Sequence, residues 1–581
     1  MKLIFPFAMF ALASAYPAMS DSLSPAKWNA VERTRVESLE QAPMPPASRV
    51  IDGKSGIVSA TMSPIAVRTG IEVLKQGGTA ADAAAAVALT QVTTALGSYV
   101  SYAGIMELVY FEAKTAKVYT LNAGWGTYQG ETDPKGIPTA GNLDPGQGRK
   151  TLVPGFMAGI EAMHHRFGRL PFADLFEPAI WYSENGITLS PFLAGFLSSR
   201  QAYLSRTPEG KAFLHQGGDH PPVAGERFVQ TEAAKTLRAV AQHGAQSMYT
   251  GAWGQEYVAA VQREGGKATL EDMKRYRPVW EEPLNTEFAG RSVYGPGRGT
   301  EGGFQVLEVL NLIEELKIDR MKPYWQEPVV FGDLSRALEM AAIGPYIHSF
   351  VAGSALKNGI HLSLEDRASK NYAKAVLPLL ENFFNPAQKN GGGGHSDAIV
   401  VIDQWGNIAA LVHSINTVLW GSTGIVVGGV PVSDAASFQQ ARLAALAPGA
   451  LIPNEMAPVI AMRNGKPELA VAAVGAALIP ETVRILLGTL GNHLDAKTVM
   501  AAPPLLLNSD YTKRGMVQIP EGRYGQDFLA SLGTAGLTVQ TKTSRDVFAI
   551  KGTAVMAMIS TPGSLRQSVE DTGIFGFADG Y

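Results

Sequence analysis

The sequence predicts a mixed α/β protein (α+β in its local order) built in layers, and three observations carry that prediction. Helix-punctuated apolar segments mix with short strand-like runs, one alanine-rich segment is apolar nearly all round, and a run of four glycines near two-thirds of the length turns the pattern to strands. At 581 residues the chain exceeds one small core and suits two to four domains or one large layered unit. Its 62 glycines cluster between periodic segments, where tight turns and close backbone approaches fall.

The elements follow in chain order. Lys2, the apolar run 3–12 and the small residues Ala13-Ser14-Ala15 read as a secretory signal ending near residue 15 or 20, so 1–20 is set apart. Residues 21–50, with Pro43, Pro45 and Pro46, read as a polar lead-in arm. Pro64 opens a helix that Gly77-Gly78 ends, the expected punctuation. The segment from Ala80 to about Thr94 is a buried helix. Ile105–Tyr110 and Ala116–Leu121 flank 112–115 as a hairpin. Helices dominate from Val153 to about Arg275, and another spans Gly303–Leu316. Beyond the glycine run, Asp397–Ile402 and Ile408–Ile415 form a second hairpin, followed by strands Val459–Met462 and Leu469–Val474 and a helix Pro480–Leu490.

Composition excludes several functions. A net charge of −3 offers no basic footprint for nucleic acid. The absence of cysteine excludes thiol catalysis, disulfides and thiolate metal sites. No segment after the signal approaches the ~18 apolar residues of a membrane span, so a periplasmic or secreted protein is expected. Gly297-Arg298-Gly299-Thr300-Glu301-Gly302 has the outline of a dinucleotide fingerprint, but Pro296 interrupts the approach and Ser292-Val293-Tyr294 is short and polar for a buried parallel strand. It reads as a linker. The adjacent His164-His165 cannot share a metal on one helix face and read as surface histidines. No cofactor or metal is expected.

The chemistry concentrates at Gly391-Gly392-Gly393-Gly394-His395-Ser396-Asp397, where a hydroxyl heads an apolar strand behind a flexible loop. Self-cleaving amidohydrolases need this arrangement: the loop lets the bond before the hydroxyl twist into reach, and the strand then holds the new N-terminus. Cutting His395–Ser396 would give Ser396 both a nucleophilic oxygen and an α-amine with a reference pKa of ~7.7–8.0, able to act as base near neutrality. With the turn centred on Trp405, Ser396 pairs with Ser414, placing a second hydroxyl within reach of the first. His413 then faces the opposite side. The same window also reads as a glycine loop before an ordinary strand, with Ser396 a cap or turn residue.

At these residues the chain resembles the γ-glutamyltranspeptidase family. Thr79-Ala80-Ala81-Asp82-Ala83-Ala84 after Gly56–Gly78, Val153-Pro154-Gly155 with Ala158-Gly159, Leu270-Glu271-Asp272 with Tyr276, Ser396 to Thr417 and the closing Asp579-Gly580-Tyr581 are each similar to its signatures, in order over about 500 residues. The resemblance implies a four-layer αββα Ntn-hydrolase sandwich formed jointly by a large subunit, 21–395, and a small catalytic one, 396–581. It also implies hydrolysis or transfer of a γ-glutamyl or related acyl amide through an acyl-enzyme, with a small amide or peptide as substrate. Serine stands where the family nucleophile is usually threonine. Its supporting hydroxyl falls at Ser414, and its oxyanion pair at Gly475-Ala476. Asn416 is retained. The arginine that clamps the substrate carboxylate falls at Gly124-Trp125, the acid that holds the amine at about Ser437 with Asp434 close by, and a Ser-Ser pair at Asn454-Glu455. These departures imply a kept catalytic core with altered acyl specificity. An uncleaved, silent member serving as a binding or scaffold protein is the alternative.

Overall fold

The computed structural model describes residues 22–41, 49–143, 145–343, 364–380, 396–417, 419–506, 516–534, 536–543, 551–559, 565–570 and 576–581. The signal segment, the prolines at 43–46 and the Gly391–His395 loop lie outside them.

Two seven-stranded, wholly antiparallel sheets organise the described residues. The first runs Gly576–Gly580, Ile57–Thr61, Ser396–Ile402, Ile408–Ser414, Ile105–Glu112, Lys117–Ala123, Val279–Glu281. The second runs Val50–Gly53, Arg566–Val569, Gly552–Ile559, Lys466–Gly475, Val459–Arg463, Arg291–Gly295, Leu284–Phe288. Both sheets draw strands from either side of residue 396.

Strand alternation sorts the core into three slabs. Ala398, Val400 and Ile402 meet Ala470, Ala472 and Val474 of the facing sheet. The intervening Ile399 and Val401 point the other way, onto the helices Pro64–Lys75, Ala80–Thr94 and Phe156–Phe167. On the far side, Leu469, Val471 and Ala473 pack under Glu301–Glu315, Pro328–Ile343 and Leu478–Leu486. Helix, sheet, sheet, helix is the αββα order, and it explains why the central strands carry apolar residues on both faces.

Local chemistry accounts for the key elements. Ala80–Thr94 starts at a capping box in which Thr79 and Asp82 each bond the other's backbone N–H, and all fifteen of its residues are buried. Alanine makes that position possible, since a small side chain lets a helix lie close against a sheet and its neighbours at once. Ser63 caps the helix opened by Pro64 through its Oγ, which accepts from Ala66 N at 3.1 Å.

Three expectations change. The lead-in arm contains a helix, Ala30–Leu39, capped by Asn29 and burying only Val36, so its apolar periodicity is too weak to see. Glu301 and Gly302, read as part of a linker, already belong to the helix Glu301–Glu315, and Ser292-Val293-Tyr294 lies in an antiparallel strand, so the parallel first strand a dinucleotide fold requires is absent at that position. His164 is not a surface residue: its Nε2 bonds Leu170 O at 2.8 Å and lies 3.6 Å from the buried Asp82. No helix among the described residues is long and apolar enough to cross a membrane.

Candidate active site

The Ser396–Ile402 and Ile408–Ser414 strands pair in the register the symmetric turn predicts, Ile402 with Ile408 and Ser396 with Ser414. Asp403 tightens the turn, its Oδ1 accepting from Trp405 N and Asn407 N at 2.9 and 3.0 Å. Ser396 therefore heads a strand inserted between two neighbours, with its side chain on the face toward the second sheet. Its Oγ donates to Ser414 Oγ at 2.8 Å. Ser414 is buried, and its Oγ also accepts the Asn416 N–H at 2.7 Å. Asn416 reaches that position with φ +40°, in the left-handed region that asparagine tolerates better than most residues. One hydrogen-bond chain thus runs from Ser396 through Ser414 to the Asn416 backbone. Behind it, Gly104 is held against Ser414, where a Cβ would stand 2.5 Å from the Ser414 carbonyl oxygen.

The opposite face of the hairpin is a different environment. His413 Nε2 bonds Gln91 Oε1 at 2.9 Å, its ring stacks on Phe156, and burial depresses its pKa to about 3, so the imidazole stays neutral and away from Ser396. Asp397 shares this face. Its Oδ1 accepts from Thr61 Oγ1 at 3.1 Å, and burial pushes its carboxyl up to about 8.

Lys466–Gly475 crosses the Ser396–Ile402 strand in the facing sheet. It ends at Gly475 with φ +92°, and an added Cβ would meet the Lys551 carbonyl oxygen at 2.8 Å. Ala476 follows, exposed, two residues before the helix Leu478–Leu486. A peptide N–H here lies at a helix N-terminus, where partial positive charge gathers.

The expected recognition residues separate into three groups. Asp434 is buried at the centre of a hydroxyl cluster. Ser422 Oγ and Ser437 Oγ donate to its Oδ2 at 2.6 and 3.1 Å, and Thr417 Oγ1 donates to its Oδ1. Burial raises its pKa against those hydroxyls and the Lys150 charge. Trp125 is buried between the sheets, with no hydrogen-bond partner for Nε1 among the described residues. Asn454 is also buried, donating from Nδ2 to Glu107 Oε2 at 3.2 Å and accepting from Met456 N at 3.0 Å. Its neighbour Glu455 is exposed, 3.8 Å from Arg442, which bonds Glu301 at 2.8 Å. Sequence reasoning did not find Thr417, Ser422 or Glu107. The hydroxyls sit within twenty residues of Asp434, but only the loop's path shows that they converge. Among the described residues no cluster of three or more acidic or histidine side chains is placed to hold a metal.

The profile of the gamma-glutamyltranspeptidase family matches residues 66–559. The chain belongs to that family. Similar proteins include "Acylase ACY 1 proenzyme" of Pseudomonas sp. (strain V22), 24% identical over 81% of this chain and 84% of its own length. Another is "Glutathione hydrolase-like YwrD proenzyme" of Bacillus subtilis (strain 168), 25% identical over 90% and 98%. The chain's fold resembles that of the cephalosporin acylase from Bacillus halodurans, with a TM-score of 0.76 at 20% identity over 93% of this chain and 98% of the other. Family membership makes the chain an enzyme of the γ-glutamyltranspeptidase-like hydrolase and transferase kind on an Ntn-hydrolase fold.

Proposed function

We propose that the chain cuts itself between His395 and Ser396 and that the freed serine hydrolyses or transfers the acyl group of a small amide or peptide. The observation that supports this most is the Ser396 Oγ–Ser414 Oγ hydrogen bond of 2.8 Å at the head of a central strand. On this reading 1–20 is a signal, 21–395 a large subunit and 396–581 a small catalytic one, in a periplasmic or secreted enzyme.

The steps use the groups that cleavage before Ser396 would supply. The Ser396 amine takes the Oγ proton as Oγ attacks the amide carbonyl. Negative charge develops on the carbonyl oxygen, and the Gly475 and Ala476 N–H groups stabilise it. The protonated amine gives its proton to the departing nitrogen, the C–N bond breaks, and an ester on Ser396 remains. Water, or an acceptor amine, repeats the attack and restores serine. Ser414, tied to Asn416, holds Ser396 Oγ in position throughout.

The acyl specificity departs from γ-glutamyl. Trp125 offers no guanidinium, Asn454 is bound to Glu107, and the exposed Glu455 would repel a carboxylate. Asp434 accepts three hydroxyls rather than an open ammonium position. A denaturing gel of purified protein tests cleavage, with bands near 40 and 20 kDa expected by proportion to 61.8 kDa. N-terminal sequencing of the smaller fragment should begin at Ser396. A single band whose amidase activity survives Ser396→Ala would overturn the reading, and rapid, saturable hydrolysis of a γ-glutamyl anilide would overturn the specificity.

A further inference from the structure

Arginines on the loops around this site are mostly engaged with carboxylates. Arg149 forks onto Glu131, Arg206 bonds Glu264 and the Thr423 carbonyl, and Arg442 bonds Glu301 through one nitrogen. Arg200, at the junction of the helices Pro191–Ser199 and Gln201–Leu204, differs. Among the described residues it has no ion pair. Among the same residues its one side-chain hydrogen bond goes from Nη1 to Ser199 Oγ at 3.2 Å, and its buried Nε has no acceptor. The guanidinium lies 4.8 Å from the centre of the Phe196 ring. Burial holds it below the ordinary arginine range, against the pull of Tyr203, Tyr99 and Asp434.

That cation is linked to the Ser396 hairpin through two aromatic rings, Phe196 and Tyr99. Phe196 stacks on Tyr99 at 5.3 Å and on Trp420 at 5.4 Å. The Tyr99 carbonyl accepts from Ile415 N at 3.2 Å, and Ile415 follows the Ser414 that holds Ser396. A half-buried guanidinium with vacant donors is costly unless an anion reaches it, and a planar carboxylate matches its fork.

We propose that Arg200 receives a carboxylate of the substrate, with the partly exposed Phe196, backed by the buried Tyr99 and Trp420, forming the apolar wall along which the rest of that group lies. The proposal rests on the amide-hydrolase reading and adds to it the charge of the substrate. The carboxylate belongs either to the acyl group or to the leaving amine, and the chemistry at Arg200 is the same.

Three chromogenic amides separate the cases: glutaryl 4-nitroanilide, pentanoyl 4-nitroanilide, and the pentanoyl amide of 5-amino-2-nitrobenzoate. The wild-type enzyme should prefer one acidic substrate over the uncharged anilide by about tenfold or more in kcat/KM, and the substrate preferred tells which side carries the charge. Arg200→Met should reduce that preference about ten- to hundredfold, and Arg200→Lys should restore part of it. Calorimetry with free glutarate and benzoate supplies a readout that needs no turnover. The preferred acid should bind wild type at least tenfold more tightly than Arg200→Met, with matched thermal melts confirming that the variant is folded. If none of the three amides is cleaved, the Ser396 fragment test decides the hydrolase reading separately, and the binding comparison still decides the role of Arg200. Equal anion affinity in wild type and Arg200→Met, or an acid preference that survives the substitution, overturns the proposal.

Discussion

The Ser396 end of the hairpin and the 417–455 loops are built by different means, and the contrast bears on the proposal that the catalytic core is kept while the acyl specificity has changed. Ser396, Ser414 and the Asn416 N–H are placed by strand register and backbone, so serine can stand for threonine without moving the chain. Asp434, Asn454 and Glu455 are placed by side-chain partners, namely hydroxyls, Glu107 and Arg442. A change in one partner redirects the others. Geometry written into a sheet is robust, whereas geometry written into loops is easily rewired.

The sharpest way to break this contrast is at the register-placed end. Ser396→Ala should abolish both fragments on a gel and reduce amide turnover by roughly a thousandfold or more. Ser414→Ala takes away the acceptor of both Ser396 Oγ and the Asn416 N–H. It should lower kcat about ten- to hundredfold with KM little changed, seen by steady-state kinetics on processed protein. A purely KM effect would move Ser414 into the recognition group.

Asp434 tests the other region. Asp434→Ala would leave three buried hydroxyls without their acceptor, and chemical denaturation should show a loss of about 3 kcal/mol. Stability unchanged within error would mean that the carboxylate is held open for a ligand. At the small end, Glu455→Ala removes an exposed 3.8 Å contact and should change stability by less than ~0.5 kcal/mol.

The back face of the hairpin gives a pH test. The folded state keeps Asp397 protonated up to about pH 8, while an unfolded aspartate ionises near 3.9. The native state then holds the extra proton, so this group's stabilisation is full below pH 4 and is lost as pH rises toward 8. His413 works in the opposite sense. Its imidazole stays neutral down to about pH 3, so the unfolded state takes the extra proton below about 6.5, and stability falls as pH drops through that window. The two nearly offset each other between pH 4 and 6.5. Asp397→Asn should unmask a rise of up to about 1.4 kcal/mol per pH unit across that interval, measured by denaturant titration. A flat profile in the variant would place the compensation elsewhere.

Much of the fold was legible because its signals are local. The turn 403–407 sets the register that brings Ser414 to Ser396, and the alanine run 80–94 reveals a buried helix without any knowledge of its neighbours. The strands Gly552–Ile559, Arg566–Val569 and Gly576–Gly580 were not read in advance, since their place depends on partners far away in sequence such as Lys466–Gly475 and Ile57–Thr61. The site divides in the same way. Ser396, Ser414 and Asn416 lie on one hairpin and its exit, whereas Arg200 is linked to them through Phe196 and Tyr99, and the Phe196–Tyr99 and Tyr99–Ile415 links join residues far apart in sequence.

Because each sheet interleaves strands from before and after residue 396, division of the chain there would produce two polypeptides neither of which owns a complete sheet. They could not be separated without melting the core. After denaturation their recovery would depend on encounter between two molecules, so the yield of renatured enzyme should climb with protein concentration, whereas the uncut precursor would refold at a rate indifferent to dilution.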